Sequence, residues 1–194
     1  MNFSNYVEQK KKEARLANIE EVRRDIDKDW VKEKIKNHCE AFSGIITEEQ
    51  VRQSILNDII VASKFCKDPS KQNISEKLVS EILNLKKLPS QGKNCIRFND
   101  KGDIVSSSSG NTKSADFIYK GYYVTQKYTD GEGGAQDNQR NDVIDFLKRG
   151  SIQHKVAAIV DGAYWEKHLS ELIAEFKYNP NVLITSVTEI TENI

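Results

Sequence analysis

The sequence predicts an α/β fold, with a central mixed β-sheet flanked by helices and a helical N-terminal extension. Three observations carry this. Two short runs rich in aromatic and β-branched residues flank a Lys120-Gly121 step, the pattern of a β-hairpin. After them, apolar runs at 152–161 and 181–185 alternate with helical patterns at 135–149 and 164–176. Strands alternating with helices imply a layered α/β fold with a mixed sheet. Before them, the first 42 residues are dense in charge and contain no proline, which reads as helix. The expected division is a helical region over 1–70 and an α/β core over 71–194, forming one compact unit.

Each element follows in chain order. Lys10 to Lys12 form the sharpest basic cluster, which reads first as a solvated helix face and second as a DNA-contacting arm. Ser43-Gly44 breaks the helical pattern, and Thr47 with Glu48, Glu49 and Gln50 makes a capping-box start. The helix it opens carries Val51, Ile55, Ile59 and Ala62 and ends near Cys66, before an Asp68-Pro69-Ser70 loop. A helix over 73–86 has Ile74, Leu78, Ile82 and Leu85 as its apolar stripe. Glu81 falls inside that stripe, whereas Glu76 projects from the opposite face towards solvent. A carboxylate facing a core is costly unless it is paired or binds a cation, and a buried Lys or Arg would satisfy Glu81 equally well. Cys95 to Phe98 reads as a strand, and the polar stretch 99–112 as a connector that could also lie in a DNA groove. The hairpin, a helix, a buried strand, an amphipathic helix and a last short strand follow, and SVTEITENI closes with a turn of helix.

Composition narrows the function classes. The chain has 194 residues, 38% hydrophobic and 30% charged, enough for a sizeable core. No apolar run approaches the roughly 20 residues of a membrane helix, and the first residues lack the apolar centre of a secretory signal. Cys39, Cys66 and Cys95 form no C-x-x-C pair, which speaks against a disulfide framework or a zinc cluster and for a reducing cytosol. Net charge is zero, but it is unevenly spread. Residues 51–100 hold nine Lys/Arg against five Asp/Glu (+4), and residues 151–194 hold three against six (−3). His38, His154 and His168 have no metal-ligand spacing, Trp30 and Trp165 sit in helical patterns as core residues, and the phosphate-loop, dinucleotide and serine-nucleophile motifs are lacking.

The chemistry concentrates in 113–139, KSADFIYKGYYVTQKYTDGEGGAQDNQ. Alternation puts Thr125 and Lys127 on one face of the second hairpin strand and Val124 and Gln126 on the other. Pairing the strands brings Asp116 towards the Thr125/Lys127 face. A carboxylate beside a lysine on adjacent strands can hold a divalent metal and activate water against a phosphodiester. A salt bridge on an ordinary hairpin fits the same spacing.

The order of acid, strand ending in x-x-Lys, glycine-rich turn and helix resembles the PD-(D/E)xK nuclease core, most of all type II restriction endonucleases. The resemblance runs from about Ile74 to the C-terminus. It implies a restriction-endonuclease-like core and Mg²⁺-dependent hydrolysis of phosphodiester bonds in double-stranded DNA. It further implies a homodimer in a bacterial or archaeal cytoplasm, with no membrane partner. Asp116 would bind Mg²⁺ and Lys127 would act on the attacking water. Thr125 stands where the usual motif has its second acid and cannot replace it as a hard ligand. Some restriction enzymes move that acid to the following helix, which here carries Asp137, Asp142 and Asp145, with Asp142 nearest the buried Val143/Phe146/Leu147 face. Relatives also place a glutamate on the helix before the sheet, which points to Glu81. Gln136, Asn138 and Gln139 at the start of the helix are candidates for reading bases, since Gln and Asn can bond adenine in pairs, while Asp137 or Asn138 could equally be the helix cap. Two other readings remain: a catalytically inactive nuclease-fold module that binds DNA or protein, which Thr125 favours, and a regulatory or toxin-neutralising α/β protein acting through its N-terminal helices.

Overall fold

In the computed structural model the described residues are 2–90, 92, 94–105, 113–131 and 134–192. The chain forms two compact units, Val7–Ile74 and the combination of Met1–Tyr6 with Ser75–Ile194. The polar loop centred on 106–112 and the Glu132-Gly133 part of the glycine-rich turn lie outside the described residues.

The Val7–Ile74 unit is helical. It is built from α1 (Phe3–Arg24, from residue 7 on), α2 (Asp29–Ala41), α3 (Glu48–Asn57) and α4 (Ile59–Phe65). Ser43 and Gly44 both have positive φ, 50° and 77°, and turn the chain between α2 and α3. Thr47 caps α3 reciprocally with Gln50, so two helix-end donors are satisfied at once. The single helix expected over 47–66 is two, because Asp58 leaves the helical region (φ −123°) and its carboxylate caps α4 through the N–H groups of Ile60 and Val61. Ile59 is consequently exposed, outside the core of Ile19, Val22, Val31, Ile35, Val51, Ile55, Ala62 and Phe65. Lys10 and Lys11 pair with Glu13 and Glu8 along α1.

The other unit is α/β. After α5 (Ile74–Ile82), three two-residue strands form a small antiparallel sheet: β1 (Arg97–Phe98), β2 (Ile104–Val105) and β3 (Lys113–Ser114), in the order β2-β1-β3. The main sheet has the order β4-β5-β6-β7, from β4 (Phe117–Tyr119), β5 (Tyr122–Tyr128), β6 (Val156–Asp161) and β7 (Val182–Thr185). β4 and β5 are antiparallel, and the β5–β6 and β6–β7 pairs are parallel, so the sheet is mixed. Helices α6 (Gly134–Gly150), α7 (Ala163–Phe176) and α8 (Val187–Glu192) complete the chain. The β4–β5 turn is Lys120-Gly121, with φ 46° and 83°. Two positive φ values in succession match the strand twist in a two-residue hairpin.

Every residue of β6 is buried, as expected for a parallel strand bonded on both edges and covered on both faces. Register partners in a parallel pair share a face, so Tyr123, Thr125 and Lys127 lie on the side of Val156, Ala158 and Val160. That side packs on Val143, Phe146 and Leu147 of α6 and on Tyr164, Trp165, Leu172 and Phe176 of α7. Gln126 and Tyr128 share the opposite face with Ile159 and Asp161.

α5 is rotated from the expected placement, and this corrects the position of Glu81 inside the apolar stripe. The helix closes at Asn84 (φ 50°), where Leu85 N–H donates to the Ser80 carbonyl at 2.8 Å and Asn84 N–H to the Glu81 carbonyl at 3.3 Å. This is a Schellman closure, so Leu85 does not extend the helical stripe. Leu78, Val79 and Leu83 are buried, Ile82 is 41% exposed and Glu81 is exposed. Glu76, three residues before Val79 and seven before Leu83, falls on the inward side, with its side chain 17% exposed.

Candidate active site

Asp116 sits just before β4, where the ladder is irregular. Its N–H donates to the Val124 carbonyl at 2.7 Å although Val124 has Phe117 as its register partner. Its own carbonyl accepts from Leu88 N–H at 2.8 Å, beside an antiparallel bridge between Lys87 and Phe117, which ties the segment after α5 to β4. The Asp116 side chain replaces the next backbone partner of β5: Oδ2 accepts from Gln126 N–H at 2.8 Å and from Thr125 Oγ1 at 3.2 Å. The carboxylate is thereby fixed by two donors, one of them a backbone group that cannot rotate away.

Burial pushes the Asp116 carboxyl above the ordinary carboxylate range. The Gln126 N–H, the Lys127 ammonium and the Thr125 hydroxyl pull it down, and the Glu76 carboxylate pushes it further up. Desolvation outweighs the rest, since taking a carboxylate from water costs more than one backbone bond returns. Charged side chains acting on Asp116 include Lys127 and Glu76. Glu76 also pairs with Lys87 at 2.8 Å. Glu76, which the sequence pattern assigned to solvent, is thus an acid whose charge reaches Asp116. Asp142 is half-buried on α6.

The start of α6 is held by bonds that tie Gln139 into the fold. Gln139 Oε1 accepts from Thr129 Oγ1 at 2.7 Å, and Thr129 Oγ1 accepts from Trp165 Nε1 at 3.2 Å. Thr129 N–H donates to the Asp161 carbonyl and the Thr129 carbonyl accepts from Tyr164 N–H, so one residue joins β5, β6, α6 and α7. That knot explains Gly162 (φ 104°): a Cβ there would lie 2.3 Å from the Thr129 carbonyl oxygen. α6 begins at Gly134, so Asp137 is in its first turn, not at the cap, and its Oδ1 accepts from Tyr164 OH at 3.1 Å. Gln136 is half-buried and Asn138 is exposed, which leaves Asn138 the most accessible of the three. Thr129 and Gly162 carried no signal in the sequence beyond their place at strand ends.

No family model, curated protein or solved structure matches the chain. The site is therefore read from its own chemistry. Among the described residues, no three His, Cys, Asp or Glu side chains gather as a metal-holding group. The side chains that could offer a cation a ligand here, Asp116, Glu76 and Thr125, all present oxygen. Hard cations prefer oxygen, and Mg²⁺ keeps several waters and binds through one or two carboxylates plus substrate phosphate. Asp116 and Glu76 fit that requirement without a third acid. Gln126, between Thr125 and Lys127 but on the other face, is 6% exposed, and its Nε2 has no hydrogen-bond partner among the described residues. Among the described residues no helix is long and apolar enough to cross a membrane.

Proposed function

We propose that the chain is a Mg²⁺-dependent endonuclease that hydrolyses phosphodiester bonds in double-stranded DNA, similar to a type II restriction enzyme, on a restriction-endonuclease-like core. One observation carries this reading: a half-buried carboxylate, Asp116, fixed by Gln126 N–H and Thr125 and acted on by Lys127 from the adjacent strand. A desolvated acid with a raised pKa, acted on by a lysine, is the arrangement that functional sites select.

Mg²⁺, when bound, supplies Lewis-acid polarisation of a phosphate oxygen and a more acidic water. The remaining work belongs to the side chains. Asp116 and Glu76 hold the ion, replacing Asp142 and Glu81 of the sequence-based expectation. Lys127 orients the attacking water and offsets the negative charge that grows on the phosphoryl oxygens. Thr125 donates to Asp116 and keeps its oxygen aimed, a positioning role. Asn138 and Gln136, near the start of α6, are the residues offered to DNA. A homodimer suits cutting of both strands, because a two-fold axis presents one site to each.

Thr125 also supports a second reading, a nuclease-like module that grips DNA without cutting it, since its hydroxyl is committed to Asp116. Plasmid and phage DNA incubated with the protein and Mg²⁺ separate the two. Discrete fragments that vanish with EDTA support the nuclease. A gel shift with intact DNA supports the binding module, and intact, unshifted DNA rejects both.

A further inference from the structure

At the carboxyl ends of β6 and β7, away from Asp116, lies a hollow of about 420 Å³ lined by Asp161, Glu166, Trp165, Ser186, Asn2 and Ser4 among others. A second hollow of about 400 Å³ shares Phe3 and Thr188 with it and is walled mainly by Tyr6, Ile82 and Val187. Both volumes fall in the range of small-molecule sites, and carboxyl ends of parallel strands are where open α/β sheets commonly take ligands. We propose that the paired hollows bind a small organic cation, a primary ammonium carrying an apolar group, with the ammonium at Asp161 and Glu166 and the apolar group beside Phe3 and Ile82.

The charge of the first hollow is one-sided. Among the described residues, its ionisable lining groups are Asp161 and Glu166, with no Lys, Arg or His. Asp161 is 7% exposed, and a single donor, Val187 N–H, is shared between its two oxygens at 3.2 Å each. A carboxylate can accept about four such bonds, so it retains acceptor capacity. Desolvation, together with the Glu189 carboxylate, raises Asp161 to about 7, against the pull of Val187 N–H. Its oxygens are short of donors and the Glu189 carboxylate lies near, so an ammonium, which brings three donors and a counter-charge, matches what Asp161 lacks when ionised. The groups around Asp161 are Glu189 of α8, Glu166 of α7, the register partner Tyr128 of β5, and the neutral Asn2, just before α1, and Ser4 of α1.

Helix starts at the rim do not call for an anion, because each is already answered. Asn2 Oδ1 accepts from Asn5 N–H, Glu166 stands in the first turn of α7, and Glu189 Oε2 accepts from Ser186 N–H. The second hollow gives Ile82 a role: it is a large apolar side chain 41% exposed on a helix that otherwise buries its apolar residues Leu78 and Val79. An apolar group in contact with Ile82, Phe3 and Val187 would remove that surface from water.

The test is titration of the ¹⁵N-labelled full chain with benzylammonium, with benzyl alcohol and benzoate as neutral and anionic controls. Benzylammonium is expected to shift Gly162, Val187 and the Trp165 indole saturably, with benzyl alcohol weaker by at least tenfold and benzoate silent. Proton and ammonium compete for Asp161, so affinity should rise roughly thirtyfold from pH 5.5 to pH 8, given a pKa of about 7. Asp161→Asn should lose the pH dependence and at least tenfold in affinity. If that variant does not fold, the wild-type pH series decides alone. No saturable shift at millimolar benzylammonium, an equal response to benzyl alcohol, or affinity flat with pH would each overturn the proposal.

Discussion

Two desolvated aspartates lie at the same sheet, half-buried Asp116 just before β4 and buried Asp161 at the end of β6, and their surroundings differ in kind. Asp116 receives a backbone N–H and a hydroxyl and feels Lys127 as well as Glu76. Asp161 receives one backbone N–H and feels Glu189, with no cation among its causes. Desolvation raises both above the carboxylate range, the second to about 7. At Asp116 the lysine and two donors work against burial and favour the ionised form. At Asp161 nothing cationic does, so the proton remains until neutral pH. The difference separates a carboxylate prepared to act as an anion from one whose anionic form awaits a counter-charge.

The largest effect expected concerns the cation that distinguishes the two. Lys127→Ala should reduce plasmid cleavage by about 10²–10³-fold, the range found when one donor to a developing oxyanion is removed, with circular dichroism unchanged. Cleavage at wild-type rate in that variant would make Lys127 a bystander.

Next comes the pH dependence of stability at Asp161. Its folded pKa, about 7, lies above the ordinary 3.8, so the folded state holds a proton that the unfolded chain releases. The associated stability is full below about pH 4 and is lost as pH rises through 7, a contribution on the order of a few kcal/mol. Urea unfolding from pH 4.5 to 8 should show the wild type losing ground to Asp161→Asn over that interval. Parallel curves would mean that Asp161 ionises normally.

Charge neighbours of Asp116 give opposite signs. Glu76→Gln should lower the Asp116 titration midpoint and Lys127→Met should raise it, read from the side-chain carboxyl ¹³C shift. A midpoint indifferent to Glu76 would remove that residue from the site. The smallest effect belongs to Thr125→Val, which deletes one 3.2 Å hydrogen bond and should cost about 1 kcal/mol in chemical denaturation.

What the sequence made legible was local. Strand alternation alone puts Thr125 and Lys127 on one face, and the Lys120-Gly121 step closes the hairpin that brings Asp116 to them. The mixed sheet with flanking helices follows from the alternation of apolar runs and amphipathic patterns after Tyr128. Glu76 was hidden by a local rule broken at one residue. Counting apolar spacing through Leu85 turns the helix the wrong way, because the stop at Asn84 depends on a left-handed asparagine that spacing does not register. Gln139 was hidden for a different reason: its partner Thr129 is ten residues away across a turn, and the knot needs Trp165 and Gly162 as well. Hydrogen bonds between distant segments leave no periodic trace.

The account rests on Asp116 being a charge kept in a costly place for chemistry. Asp116→Asn keeps an acceptor for Gln126 N–H and removes the buried charge, so cleavage assay and thermal unfolding at pH 8 on this one variant test it together. The expected result is no detectable cutting in a protein that melts above wild type. Cutting that persists, or that disappears only because the fold is lost, would contradict it.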